Sequence, residues 1–223
     1  MEWTNYLYAL GGRYYDENWK AVINDEKGVK ATELYIDAIQ NAATVGSLAF
    51  NLDDTFRMMA QGKTFSFISY WWMLPQLQDP TKSAVAGKVA LAPLPGGSLN
   101  GGWAWAIPKN LPQEKKDAAW KFIEWVESPE ITKRRALAGS SPTRYDVYND
   151  PEVLSKFPHY EVALQIIENA RPVPEFSYSV QMIEAVGREL SLAATGEKSI
   201  KAALDEAAKE LDALVVKAGL QKK

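Results

Sequence analysis

Apolar residues recur at helical spacing along most of this chain and at strand spacing in only a few short runs. Ala31, Leu34, Tyr35, Ala38, Ile39 and Ala42 fall on one stripe of a helix over residues 28–43. Ile200, Leu204, Ala207, Leu211 and Leu214 do the same over residues 199–216. A third stripe, Ala119, Phe122, Ile123 and Val126, runs through residues 113–127 behind Pro112, a residue suited to a helix start. Trp120 and Trp125 lie in that helical run and are expected in the core or half-core.

Shorter helices are expected over residues 2–10, ended by Gly11-Gly12, and over residues 129–138, ended by Gly139. Asp53 or Asp54 can cap a helix through Phe56, Met59 and Ala60 that Gly62 closes. Further helices fit residues 151–155, 160–170 and 178–194. Strand character is confined to residues 64–69, 88–92 and 103–107, the second punctuated by Pro93, Pro95 and Gly96-Gly97. Single strands scattered among helices argue for a layered α/β domain rather than a bundle.

With 223 residues, 47% hydrophobic and 24% charged, the chain can bury a sizeable core and reads as an ordinary globular protein. Its net charge of −3, without a basic stripe, offers no long-range attraction to nucleic acid or an anionic membrane. No apolar run approaches the roughly 20 residues that span a bilayer. The lack of cysteine excludes disulfides, thiolate catalysis and cysteine metal sites. A single histidine, His159, excludes a multi-histidine metal site, and its place near a helix start gives it a surface or capping role. No cofactor is implied. The opening residues lack the basic start and apolar core of a signal peptide, yet they run straight into aromatic, buried-looking sequence. That start fits a cytosolic protein or a fragment whose first half is missing.

The most informative chemistry lies in Gly101-Gly102-Trp103, where two glycines free the backbone to approach a ligand beside a flat apolar ring. Such a pairing suits a sugar, whose ring carries C–H groups on its face and hydroxyls round its edge. Trp71 and Trp72, following the strand-like run 64–69 and preceding Pro75, offer further platforms.

These motifs, in their order, resemble the solute-binding proteins of bacterial and archaeal ABC importers, in particular the maltose/trehalose type. The resemblance rests on Gly62-Lys63 leading to Trp71-Trp72, on Gly87-Lys88-Val89-Ala90-Leu91-Ala92-Pro93, and on Gly101-Gly102-Trp103 before Ala106-Ile107-Pro108. It continues through residues 119–126, Ser141-Pro142-Thr143-Arg144, Asp150-Pro151 and Arg171-Pro172-Val173-Pro174. It implies a periplasmic-binding-protein-like lobe, a mixed sheet flanked by helices, from a fold whose two α/β lobes hold ligand between them. Residues 1–100 and 143–223 would form the C-terminal lobe. Residues 101–142 would serve the N-terminal lobe, most of which is absent from this chain.

Carried over by that resemblance, Trp71 is the stacking platform, with Trp72 a close alternative, and Gly101, Gly102 and Trp103 supply backbone N–H groups and a second ring. Arg171 binds hydroxyls, Trp3, Asn5 and Tyr6 lie where relatives place ligand contacts, and Arg144 braces a hinge loop. Met182, Ile183 and Glu184 stand where some maltose binders carry an aromatic pair, which argues against long maltodextrins. The implied function is capture of a mono- or disaccharide for ABC permease subunits, without catalysis, in the periplasm or outside the cell. Two alternatives compete. A glycan-processing enzyme would need two carboxylates facing each other across a bond, and Asp53, Asp54, Glu124, Glu175 and Glu184 show no such pairing by position. A non-binding scaffold could self-associate through the surface that a missing lobe leaves on residues 119–138.

Overall fold

The computed structural model describes residues 2–221; Met1, Lys222 and Lys223, at the outer ends of the first and third expected parts, lie outside the described residues. The chain runs through α1 (Trp3–Ala9), α2 (Glu26–Asn41), α3 (Leu52–Ala60), α4 (Leu74–Leu77), β1 (Leu99–Asn100) and α5 (Gln113–Val126). It continues with α6 (Pro129–Leu137), α7 (Tyr145–Tyr148), α8 (Pro151–Lys156), α9 (His159–Glu168), β2 (Arg171–Pro172), α10 (Ser179–Ala194) and α11 (Ile200–Lys217).

Helices begin where a side chain can satisfy their free N–H groups. Asp25 accepts from the Gly28 N–H at the start of α2, and Ser199 accepts from the Ala202 N–H at the start of α11. At α3 the cap is Asn51 rather than Asp53 or Asp54. Its side chain accepts from both aspartate N–H groups, and the Asp54 carboxylate accepts from the Asn51 N–H in return. The cap lies two or three residues earlier than expected because the helix already begins at Leu52.

The main core forms where α1, α2, α10 and α11 pack together around Leu7, Ile23, Met182, Leu204 and Leu211. Trp3, 2% exposed, lies inside it and donates its indole N–H to Thr32 Oγ1 at 2.9 Å. The Thr32 hydroxyl in turn donates to the Gly28 carbonyl. Gly28 is indispensable here, since a Cβ on it would fall 1.7 Å from the Ile23 carbonyl oxygen. A second core gathers Ala136, Val147, Tyr148, Val153 and Tyr160 from α6 to α9. A third packs Met59 and Ala60 of α3 on Leu74 and Leu77 of α4.

The sheet is smaller than the alternation of residues foretells. β1 and β2 pair in parallel, Leu99 with Arg171 and Asn100 with Pro172, and Tyr15 bridges Ala21 in a separate hairpin. Residues 64–69, 88–92 and 103–107 form no strand, with a bend at Phe65 and Lys88 closing a turn on Val85. Alternation marks a segment able to pair, but a strand exists only when another segment takes up its N–H and C=O groups. Trp120 and Trp125 also depart from expectation, at 55% and 56% exposed. The face that α5 turns inward carries Ala119, Ile123 and Val126, and no element among the described residues covers the rest of its aromatic stripe.

Candidate functional site

Two buried polar residues of α1 fix the ends of the parallel ribbon. The Asn5 side-chain oxygen accepts the Leu99 N–H at 2.8 Å, and the Tyr8 hydroxyl donates to the Pro172 carbonyl at 2.7 Å. Arg171 donates its N–H to the Ser98 carbonyl at 2.8 Å, and its guanidinium lies 6.0 Å from the centre of the Tyr8 ring. Burial pushes the Tyr8 phenol up, Tyr14 adds to this and Arg171 opposes it. Tyr8 therefore stays a neutral hydrogen-bond donor. β1 leads directly into Gly101-Gly102, so these bonds set where that loop leaves the core.

Gly101 meets the Tyr70 ring. A Cβ on Gly101 would lie 2.8 Å from Tyr70 Cε1, so any larger residue there has to push the Tyr70 ring aside. Tyr70 stacks on Trp72, with ring centres 5.7 Å apart and planes 18° from parallel. The turn at Trp71–Met73, closed by the Met73 N–H on the Tyr70 carbonyl, sends the two tryptophans in different directions. Trp71 packs its ring edge-on to Tyr160 at 5.5 Å and Tyr148 at 5.9 Å, whereas Trp72 stays 40% exposed. Of the expected platform pair, Trp71 is thus the anchor and Trp72 the available ring.

The remaining expected residues divide. Trp103 projects freely, 97% exposed. Gly102 lies beside the Asn100 side chain, whose Oδ1 would be 3.3 Å from a Cβ there. Tyr6 packs edge-on to Tyr35 at 5.4 Å and is only half-buried. Trp3 is a correction: its ring is enclosed in the main core and its N–H is committed to Thr32, so it has no face to offer a ligand. Arg144 folds back on Asp146 in a two-pronged ion pair instead of bracing the loop from outside. The loop is held by Glu127, which accepts from Trp105 Nε1 at 2.9 Å, from Arg135 at 3.2 Å and from the Thr143 hydroxyl. Partial burial raises the Glu127 carboxyl, but these three donors together hold it below the usual carboxylate range. Trp72, Tyr70 and Gly101 are therefore linked just beyond β1, whose Leu99 pairs with Arg171 on the neighbouring strand. Asn5, expected at a ligand contact, spends its side-chain oxygen on the Leu99 N–H instead, and Tyr8 and Tyr70 are supports that the sequence reading did not single out. Among the described residues no three histidine, cysteine or acidic side chains cluster to hold a metal ion.

Residues 2–133 match the family model described as bacterial extracellular solute-binding protein. The chain belongs to this family. A probable amino-acid ABC transporter periplasmic-binding protein of Sinorhizobium fredii is 27% identical over 164 residues, 74% of this chain and 38% of the relative. Among solved structures, MalE3 of T. maritima with maltose bound superposes with a TM-score of 0.82 at 29% identity, covering 95% of this chain and 56% of that one. A solute-binding protein of Agrobacterium radiobacter in complex with ribitol gives 0.81 at 28%, covering 95% and 55%. This solute-binding protein thus spans about half the length of the solved relatives it matches, and shares their periplasmic-binding-protein fold.

Proposed function

We propose that this chain supplies one wall of a carbohydrate-binding site and serves a bacterial ABC importer, capturing a small sugar or polyol without chemical change. The observation that carries this reading is the exposed Trp72 ring, stacked on Tyr70 beside the Gly101 loop that follows β1, the strand paired with Arg171-Pro172. An aromatic face suits the C–H side of a sugar, the glycine backbone and the Arg171 fork suit its hydroxyls. The maltose and ribitol in the two similar structures support a neutral, hydroxyl-rich ligand. The partners of the reading are that ligand and ABC permease subunits, and its place is the periplasm or the cell exterior.

The division into residues 1–100, 101–142 and 143–223 belongs to the same proposal. The uncovered aromatic side chains of α5, in the middle part, support it. They also favour self-association, because Trp105, Phe122 and Trp125 form a continuous exposed group with ring centres 5.7 and 5.9 Å apart. Light scattering tests this: a mass of twice the chain that Trp125→Glu halves supports association, and a monomer at high concentration removes it.

The binding reading is tested by titrating intrinsic tryptophan fluorescence with maltose, trehalose, glucose, ribitol and mannitol, and with a set of amino acids. A saturable shift with a sugar or polyol supports it. Saturation by an amino acid alone, the ligand class in the name of the Sinorhizobium relative, would replace it.

A further inference from the structure

Gly101 raises a question that its backbone does not answer. It is not among the glycines with positive φ, so no left-handed conformation demands a glycine at this position. What it lacks is room: a Cβ would lie 2.8 Å from Tyr70 Cε1 and 3.1 Å from the Tyr70 hydroxyl oxygen. The other face of the argument is Tyr70 itself. Its backbone is held at the start of the Trp71–Met73 turn by the Met73 N–H, 3.0 Å from its carbonyl oxygen. Its ring is held by the Trp72 stack, and Trp71 between them is pinned in the core of α6 to α9 by Tyr148 and Tyr160.

We infer that Tyr70 is the positioning residue of the site, coupling the Trp72 platform to the Gly101 loop so that the two move as one unit. The loop presses on one side of the Tyr70 ring and the platform rests on it. Displacement of the loop shifts the Tyr70 ring about its side-chain torsions, and the Trp72 ring stacked on it shifts with it. Tyr70 is the one aromatic ring paired with Trp72 among the described residues, and their near-parallel stack ties the two rings together. The consequence for a ligand rests on the carbohydrate reading above: a sugar stacked on Trp72 meets the loop at a fixed separation, which selects for ring size and for the height of its edge hydroxyls. The mechanical coupling does not depend on that reading.

The test is a double-mutant cycle of Gly101→Ala and Tyr70→Ala, read by fluorine NMR on protein labelled with 5-fluorotryptophan. The Trp72 resonance is assigned by its loss in Trp72→Phe. The coupling predicts that Gly101→Ala shifts the Trp72 resonance in the native background, because the added methyl displaces the Tyr70 ring. The same substitution adds no shift when Tyr70 is already alanine. Tyr70→Phe, which restores the ring, restores the native resonance and the response to Gly101→Ala. A Trp72 resonance indifferent to Gly101→Ala, or shifts that simply add in the double variant, overturns the coupling. Sugar affinity measured on the same proteins is expected to fall about tenfold in each single variant and no further in the double. If the native protein binds no sugar, the carbohydrate reading fails, and the resonances decide the coupling by themselves.

Discussion

Asn5 and Leu99, 94 positions apart, are joined by a hydrogen bond of 2.8 Å from the Leu99 N–H to the Asn5 side-chain oxygen. It fixes the first residue of β1 to the core helix α1, one residue before Asn100 and two before Gly101. Asn5→Ala leaves the Leu99 N–H without its acceptor, and the expected loss is about 1–3 kcal/mol in urea unfolding. Tyr8→Phe, which frees the Pro172 carbonyl at the other strand, is expected to cost about 0.5–1.5 kcal/mol. Losses below a few tenths in both would show that the ribbon is held by other means.

Trp71 and Trp72 are adjacent but perform different work, and stability separates them. Trp71→Ala removes a ring packed on Tyr148 and Tyr160 and is expected to destabilise by about 2–4 kcal/mol, somewhat below a fully enclosed tryptophan. Trp72→Ala removes an exposed ring and one stack, for about 0.5–1.5 kcal/mol. Thermal unfolding that ranks them in the reverse order contradicts the division into anchor and platform.

Trp19 has a φ of 60°, in the left-handed region that costs a residue with a Cβ about 1–2 kcal/mol. Its ring packs 5.5 Å from Tyr15 and 5.8 Å from Phe176, which offsets that strain. Trp19→Ala keeps the strain and loses the packing, whereas Trp19→Gly loses both. The glycine variant is therefore expected to be the more stable of the two by about 1 kcal/mol, a difference that equilibrium unfolding resolves.

His159 starts α9 with its ring against Tyr160 at 4.7 Å and with Nε2 buried and lacking a hydrogen-bond partner. Burial lowers its pKa from the usual 6.5. The unfolded chain therefore binds the proton more readily than the folded one, so its contribution to stability is full above pH 6.5 and declines as pH falls through the folded value. Unfolding free energies between pH 7.5 and pH 5 should fall in the native protein and fall less in His159→Gln. A titration of the His159 ring by proton NMR at or above 6.5 would sink this account. The carboxylates of Asp146 and Asp150, lowered by Arg144 and Lys133 respectively, lose their contributions at more acidic pH.

Periodicity located the long helices well, because α2, α10 and α11 bury one face against each other and a buried face leaves its spacing in the residues. It misplaced Trp120 and Trp125 for a related reason. A stripe records that a helix has an apolar face, and says nothing of whether this chain provides the cover. The strands at residues 64–69, 88–92 and 103–107 were over-read on the same ground, since pairing needs a second segment. At the site, Gly101 was legible as a close approach, but the neighbour it approaches was not. Tyr70 is 31 positions away and reads locally as one more strand aromatic, and only the turn at Trp71–Met73 brings it back. Trp3 was drawn to the site by resemblance, and its enclosure depends on Thr32 of another helix.

The claim on which the functional account stands is that Trp72 is a sugar platform. Calorimetric titration of the native protein, Trp72→Ala and Trp120→Ala with the best sugar or polyol of the panel addresses it most directly. The account predicts saturable binding that Trp72→Ala weakens at least tenfold and Trp120→Ala, an exposed ring of α5 outside the site, leaves unchanged. Equal affinity in the native protein and Trp72→Ala would contradict it.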